Sequence, residues 1–523
     1  MARSVKRGVP WLASMSAVLL GLTGCGLLGG DGGGGGGGED PGKDGGNGAG
    51  AGTVEPITSR ATNSWELPGG RAEMSLHRVD DEHMVARMTV ANEGGNRLPL
   101  SSHLAEGFGE SRDYPWDYFS GVAWLDPDGR KLHRPYYVDE GECLCSSTSD
   151  SYLSEGEEWE GYAVLAAPPA DVGALTVVTH LALPFVDVPV EDGAPEGLEY
   201  TPPSEEPDAE LESVFESDQE MVVEDSEATD FNLSTDVLFE VEESELTSEA
   251  DALLDTTAAD IEALGPTRVR IEGHADSSGD DEINDPLSQD RAEAVRDALD
   301  ERIGGDVAYE TEGFGSREPI AGNDTEDGRA RNRRVTVSVP KGTPVEEGAG
   351  EDADGAGASP GEEGAAAQGE GIPATEAETS GPADDDEGSA EVDVALTGLQ
   401  AVTPNTALLT YELHNPNDDK VSVNLDMYSE AWMAFRYHAT HAVSLEDPGG
   451  ERTAHPLRVH VPDDRGDPYC FCSSTSGINL GSTILRPGDT AEYYAMLPVT
   501  AGASVTDVTV GAMGTMEGVA IAR

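Results

Sequence analysis

Between residues 230 and 340 the apolar positions switch between a spacing of two and a helical spacing. "VLFEV" (Val237 to Val241) has period two and predicts a strand. In "TSEADALLDTTAADIEAL" the residues Ala250, Leu253, Leu254, Ile261 and Leu264 fall on one helical face. Ser248 is the expected N-cap, with Asp251 close to a capping-box position, and Gly265-Pro266 is the stop. "TRVRIEG" sets Thr267, Val269 and Ile271 against Arg268, Arg270 and Glu272, a half-buried strand. Ala292, Val295, Leu299 and Ile303 mark a second helix, closed by Gly304-Gly305. Further strands are predicted near Val307 to Thr311 and at Val335, Val337 and Val339. Strand and helix alternating in this way imply an α/β layer with helices on one face of a sheet.

The flanks carry a different pattern. Residues 62–195 hold short alternating stretches such as "HMVARMTV" and "GALTVVTHLAL", separated by turn signals such as "DPDG" at Asp126 to Gly129. This reads as antiparallel β. Residues 390–523 repeat it. "CLCSSTSD" (Cys143 to Asp150) recurs as "CFCSSTSG" (Cys470 to Gly477), "VAWLDPDGRKLHRP" parallels "AVSLEDPGGERTAHP", and "EGEEWEGYAVL" parallels "RPGDTAEYYAML". Three matches in one order predict two copies of an all-β module, of a size that suits an immunoglobulin-like sandwich. Residues 196–229 are acidic and contain proline, and residues 341–389 lack aromatics and have few large aliphatics. Both read as linkers, the second as disordered, because neither buries enough apolar surface to offset the entropy of ordering.

Charge then narrows the function classes. The chain has 523 residues and a formal net charge of -71, with only five lysines. Nucleic-acid binding is excluded as a broad surface, because phosphate contacts need clustered Lys and Arg. The N-terminus, "MARSVKRGVPWLASMSAVLLGLTGC", has a basic head and a short apolar stretch, as a secretory signal does. Its last four residues, Leu22-Thr23-Gly24-Cys25, resemble the bacterial lipobox. Residues 1–25 are therefore expected to be a lipoprotein signal with Cys25 lipidated, and residues 26–61 a Gly-rich tether. The expected location is extracytoplasmic and lipid-anchored, on the outer face of a single membrane or at an outer membrane. Export makes these four cysteines, Cys143 and Cys145 in one module and Cys470 and Cys472 in the other, disulfides in preference to zinc ligands, closed within each pair or between the modules.

The loop "GHADSSGDDEINDPLSQDRA" (Gly273 to Ala292) carries the candidate chemistry. Asp276 lies just past a strand, and Ser288 reads as the N-cap of the following helix, which puts Arg291 in its first turn. A cation there opposes the helix dipole, so helix stability alone does not explain it. A carboxylate and a guanidinium at one sheet edge suit a zwitterion such as an amino-acid terminus. The residues alone leave open a plainer alternative, with Asp276 in an Asx-turn and Arg291 a solvated charge. His274 has no nucleophile and no metal-ligand spacing beside it, so no catalytic residue and no metal site is assigned.

This segment resembles the OmpA/MotB C-terminal peptidoglycan-binding domain. The resemblance rests on Gly273-His274-Ala275-Asp276, on Asn284-x-x-Leu287-Ser288-x-x-Arg291-Ala292, and on Gly328-Arg329-x-x-Asn332-Arg333-Arg334-Val335. It covers residues 230–340 and implies a βαβαβ-type fold whose pocket holds the diaminopimelate arm of the peptidoglycan stem. Asp276 and Arg291 would clamp that arm, with Asn284, Leu287 and Arg333 at supporting positions. Ala275 stands where the family usually has threonine, and Glu242 and Glu243 add negative charge near the pocket.

The expected function is thus a non-enzymatic envelope lipoprotein without cofactor, tethering wall to membrane. Its β modules would contact other envelope proteins or act as spacers. The alternative is an exported redox or soft-metal-handling protein using the Cys-x-Cys pairs, for which His133 and His455, upstream of each pair, give weak support.

Overall fold

A computed structural model describes residues 57–61, 70–94, 97–100, 104–105, 118–126, 130–138, 142–148, 152–179, 181–195, 208–305, 307–341, 372–383, 390–422, 443–446, 452–460, 469–474, 479–480 and 484–523. The expected signal, Cys25 and nearly all of the Gly-rich tether lie outside these residues.

In the first flank, β1 (Gly70–Arg78), β2 (His83–Asn92), β3 (Val122–Leu125), β4 (Lys131–His133), β5 (Glu158–Ala166), β6 (Ala174–Thr179) and β7 (Phe185–Asp192) are the main strands. β1, β2 and β5 pair antiparallel, β7 runs parallel to β1, and β6 joins β7 to the β3–β4 hairpin. Alternation in β1 places Ala72, Met74 and Leu76 in the core, as a one-sided strand requires.

Two strands follow where a linker is expected: β8 (Ala209–Glu216) and β9 (Glu220–Glu224). In β8 the residues Ala209, Leu211 and Val214 are buried, the register shifts by a bulge between Glu212 and Val214, and Phe215 packs partly buried against the central core. That pattern is hidden in the sequence by the glutamates between them, whose partners lie on other segments. The linker expectation for 196–229 is therefore corrected over residues 209–229; residues 196–207 lie outside the described ones.

The central domain comprises β10 (Ala228–Ser234), α1 (Thr235–Leu238), α2 (Ala250–Leu264), β11 (Arg268–His274), α3 (Asp281–Arg302), β12 (Ala308–Gly315), α4 (Glu326–Asn332) and β13 (Arg334–Pro340). The sheet order is β10-β13-β11-β12, with β11 and β12 parallel and the other pairs antiparallel. Val269, Ile271, Val335 and Val337 point to the helices, which supply Leu254, Ile261, Val295 and Leu299.

Three expectations differ here. "VLFEV" is a helical turn followed by an isolated bridge from Phe239 to Leu246, and Val241 is 86% exposed, so β10 takes the predicted strand's place in the sheet. The N-cap of α2 is Glu249 with no side-chain bond; Thr247 Oγ1, not Ser248, accepts from the Ala250 N–H at 3.2 Å. α3 starts at Asp281, capped by Asp280, and runs through Pro286. Ser288 lies inside α3, and its hydroxyl accepts from the Gly315 N–H at 3.0 Å.

The second flank contains β14 (Ala390–Thr403), β15 (Thr406–His414), β16 (Val443–Glu446), β17 (Thr453–His460), β18 (Thr490–Pro498), β19 (Val505–Val510) and β20 (Thr515–Ala520). β14, β15 and β18 pair antiparallel, while β19 joins β20 to β16 and β17. Residues 378–383, within the expected disordered linker, form a strand on β14; 342–371 and 384–389 lie outside the described residues. The structure pairs Cys143 with Cys145 and Cys470 with Cys472.

β8 binds the three segments together. One edge pairs with β9, which leads through β10 into the central sheet, and at Ala209 and Glu210 that edge also meets β4. The other edge pairs with β17 from Glu210 to Glu216. A core of Leu125, Leu132 and Val178 from the first flank, Leu211 from β8, and Leu457 and Tyr494 from the second closes over it. Burial of this kind contributes about 1.5–3 kcal/mol per large side chain. The flanks are thus packed on one another, not strung on flexible acid tethers.

Candidate functional site

The site forms where β11 ends and α3 crosses it. A Cβ at Gly273 would lie 2.0 Å from the Ser288 carbonyl oxygen, and one at Gly313 2.5 Å from the Gln289 nitrogen. Only glycine lets α3 pack this close. The helix thereby brings Arg291, its eleventh residue, beside the loop that follows the strand.

Asp276 is 8% exposed. Its Oδ1 accepts from the Ser278 N–H at 2.7 Å, and its Oδ2 pairs with Arg333 Nη1 at 2.8 Å. Burial alone would raise its pKa, but these bonds outweigh it and hold the carboxyl below its ordinary value. Arg333 spans three carboxylates, pairing also with Asp236 at 2.8 Å and Glu326 at 3.1 Å. The Asp236 bond leads the effects that push its pKa up. Asn284 donates to the Ser278 carbonyl at 2.9 Å and so fixes the turn after Asp276, and Leu287 is half-buried on α3.

Arg291 is different. It is 9% exposed, its Nε donates to the Glu243 carbonyl at 3.0 Å, and its guanidinium carbon lies 5.1 Å from the centre of the Phe239 ring. No carboxylate comes within ion-pair distance of it among the described residues. Burial lowers its pKa; Asp236 opposes that shift and Arg333 adds to it. The expected direct neighbour, Asp276, is instead held by Arg333. The helix-dipole argument for Arg291 is withdrawn, since a residue in the middle of a helix feels little of the terminal field. Arg291 is thus a buried cation with no carboxylate paired to it among the described residues.

Sequence reasoning missed Asp236, Glu326, Phe239 and the Glu243 carbonyl. Glu242 adopts φ 62° and makes the turn that delivers that carbonyl. His274 stacks on Phe314 with ring centres 5.4 Å apart, and burial, aided by Arg334, pushes its imidazole down to about 3. His133 lies between Asp126 and Asp208, and His455 pairs with Glu216. Each disulfide closes within its own flank, so nothing in these residues supports the redox or soft-metal alternative.

A four-stranded mixed sheet with helices on one face, bearing a carboxylate and an arginine at its α3 edge, defines an α/β domain with the OmpA-like fold. The chain belongs to the OmpA family, whose profile matches residues 238–333. YfiB of Escherichia coli (strain K12) is 39% identical over 110 residues, covering 20% of this chain and 68% of that protein. The outer-membrane lipoprotein YfiB of Pseudomonas aeruginosa is 36% identical over 114 residues, covering 22% of this chain and 68% of that one. The peptidoglycan-binding protein ArfA of Mycobacterium tuberculosis (strain ATCC 25618 / H37Rv) is 44% identical over 88 residues, 17% of this chain and 27% of ArfA. Among solved structures, the cell wall anchor of the T6SS from Pseudomonas aeruginosa aligns with 31% identity and a TM-score of 0.22, covering 23% of this chain and 87% of that one.

Proposed function

We propose that the central domain binds peptidoglycan without catalysis, through the free amino-acid end of a diaminopimelate stem residue. Asp276 would receive the ammonium and Arg291 the carboxylate, while Arg333, Asn284 and Leu287 hold the clamp in place. The observation that carries this reading is the buried guanidinium of Arg291, which among the described residues has an aromatic neighbour and a carbonyl but no carboxylate within ion-pair distance. A buried charge without a partner is costly, and a ligand carboxylate would relieve that cost with charge-assisted bonds. The relatives named for peptidoglycan binding or as lipoproteins support the same reading.

Lipidation of Cys25 would anchor the chain in the cell envelope, outside the cytoplasm, and wall binding would then tie wall to membrane. The flanks would be two copies of one β module that meets other envelope proteins or sets spacing. In support, β1-β2-β5 and β14-β15-β18 pair in the same way, as do β6-β3-β4 and β19-β16-β17, and Ser146 and Ser473 accept from Tyr162 and Tyr494 at corresponding places. Purified protein should sediment with insoluble sacculi. An unchanged pellet fraction for the Asp276→Ala, Arg291→Ala double variant would refute the clamp.

A further inference from the structure

The sheet face turned away from the helices carries a second cluster. Along β11 the residues Arg270, Glu272 and His274 alternate with the core residues Val269 and Ile271, and so point to that face. His274 is 2% exposed, yet neither ring nitrogen has a hydrogen-bond partner. Buried imidazoles normally satisfy at least one nitrogen, so this one lacks a ligand or a bond that its surroundings do not provide. Its Nε2 lies 3.9 Å from Glu272 Oε2. Glu318, from the loop after β12, completes a group whose ligand atoms all lie within 4.8 Å of one another.

We infer that His274, Glu272 and Glu318 form a site for a divalent cation of the zinc class, apart from the clamp. One imidazole and two carboxylates suit Zn²⁺, whereas Mg²⁺ and Ca²⁺ prefer oxygen alone. A tetrahedral zinc ion places its ligand atoms roughly 3.4 Å apart, so the exposed Glu318 must swing inward while His274 and Glu272 stay nearly in place. Two cations stand against the ion: Arg270, 3.3 Å from Glu272, and Arg334, whose Nη1 donates to the Glu318 carbonyl. Arg270 is exposed and can turn away; Arg334 is buried and fixed, which limits the affinity. The sequence spacing conceals the site because Glu318 is contributed by a separate loop.

The test is calorimetric titration of Zn²⁺ into metal-free full chain, with Mg²⁺ in excess to saturate the acidic surface. One zinc per chain is expected, and Glu318→Gln should weaken it by about tenfold or more. Asp281→Asn, an exposed acid outside the cluster, should leave it unchanged. Cobalt(II) should give visible d–d absorption with the parent chain and lose it with Glu318→Gln, a variant on the surface that leaves the core intact. Zinc uptake that Mg²⁺ abolishes, or that is the same in Glu318→Gln as in the parent, would overturn the inference.

Discussion

Two parts of this molecule are built from the same materials, carboxylates facing arginines, and use them for opposite ends. Along β8 and β9 the acids meet bases from other segments. Glu212 pairs with Arg458 at 3.1 Å, Glu216 with Arg331 at 2.7 Å, Glu224 with Lys341 at 3.0 Å, and Arg452 joins Glu220 to Asp260. Beneath them lies a closed apolar core, and the charges in these pairs are matched. At the edge of the central sheet Arg333 is saturated while Arg291 is not. The contrast separates structure from binding: matched pairs under cover fix a geometry, and a buried charge left over invites a ligand.

The seam can be broken in graded steps. Leu211 is 1% exposed in the core shared by both flanks, so Leu211→Ala should cost about 2–5 kcal/mol by urea denaturation. It should also expose the flanks to proteolysis before the central domain. Arg452→Ala strands Glu220, whose side chain is 5% exposed, and should cost about 3 kcal/mol in the same assay. Replacing Arg452 and both acids by apolar residues should recover much of that loss.

The pH dependence of the seam has a defined sign. Burial opposes the charged form of His133, but Asp126 and Asp208 outweigh it and raise its pKa to about 9. A raised pKa stabilises the fold fully below the unfolded value near 6.5, and that stabilisation is lost as pH rises through about 9. Between pH 6 and pH 9.5 the urea midpoint should fall by the equivalent of about 3 kcal/mol, and His133→Gln should flatten the decline. The smallest effect is expected at the clamp's margin. Ala275→Thr restores a hydroxyl beside Asp276 and should change muropeptide affinity by about 1 kcal/mol at most, measured by calorimetry.

Much of the central domain was legible because its signals are local. The alternation in Val335, Val337 and Val339 and the helical face through Ala292, Val295 and Leu299 each predict the element observed. The motif also singled out Asp276 and Arg291, both of which are buried, though the structure pairs Asp276 with Arg333 and not with Arg291. What failed was non-local. β8 and β9 looked like solvated acid because the bases that answer their glutamates come from other segments, more than two hundred residues later for Arg452 and Arg458. Ser288 suggested a helix start, yet α3 begins earlier and Ser288 serves a tertiary contact with Gly315. Asp236 escaped notice because the residues that follow it were read as a strand, whereas the turn of α1 carries it to Arg333.

The account turns on Arg291 as an unmatched buried cation that waits for a carboxylate. Calorimetric titration of the full chain with a muropeptide carrying diaminopimelate, alongside one carrying lysine, tests it most directly. The diaminopimelate form should bind, the lysine form, lacking the second carboxylate, should bind more weakly by about 2 kcal/mol or more, and Arg291→Ala should erase the difference. Equal affinity for both muropeptides, or an undiminished preference in Arg291→Ala, would contradict the account.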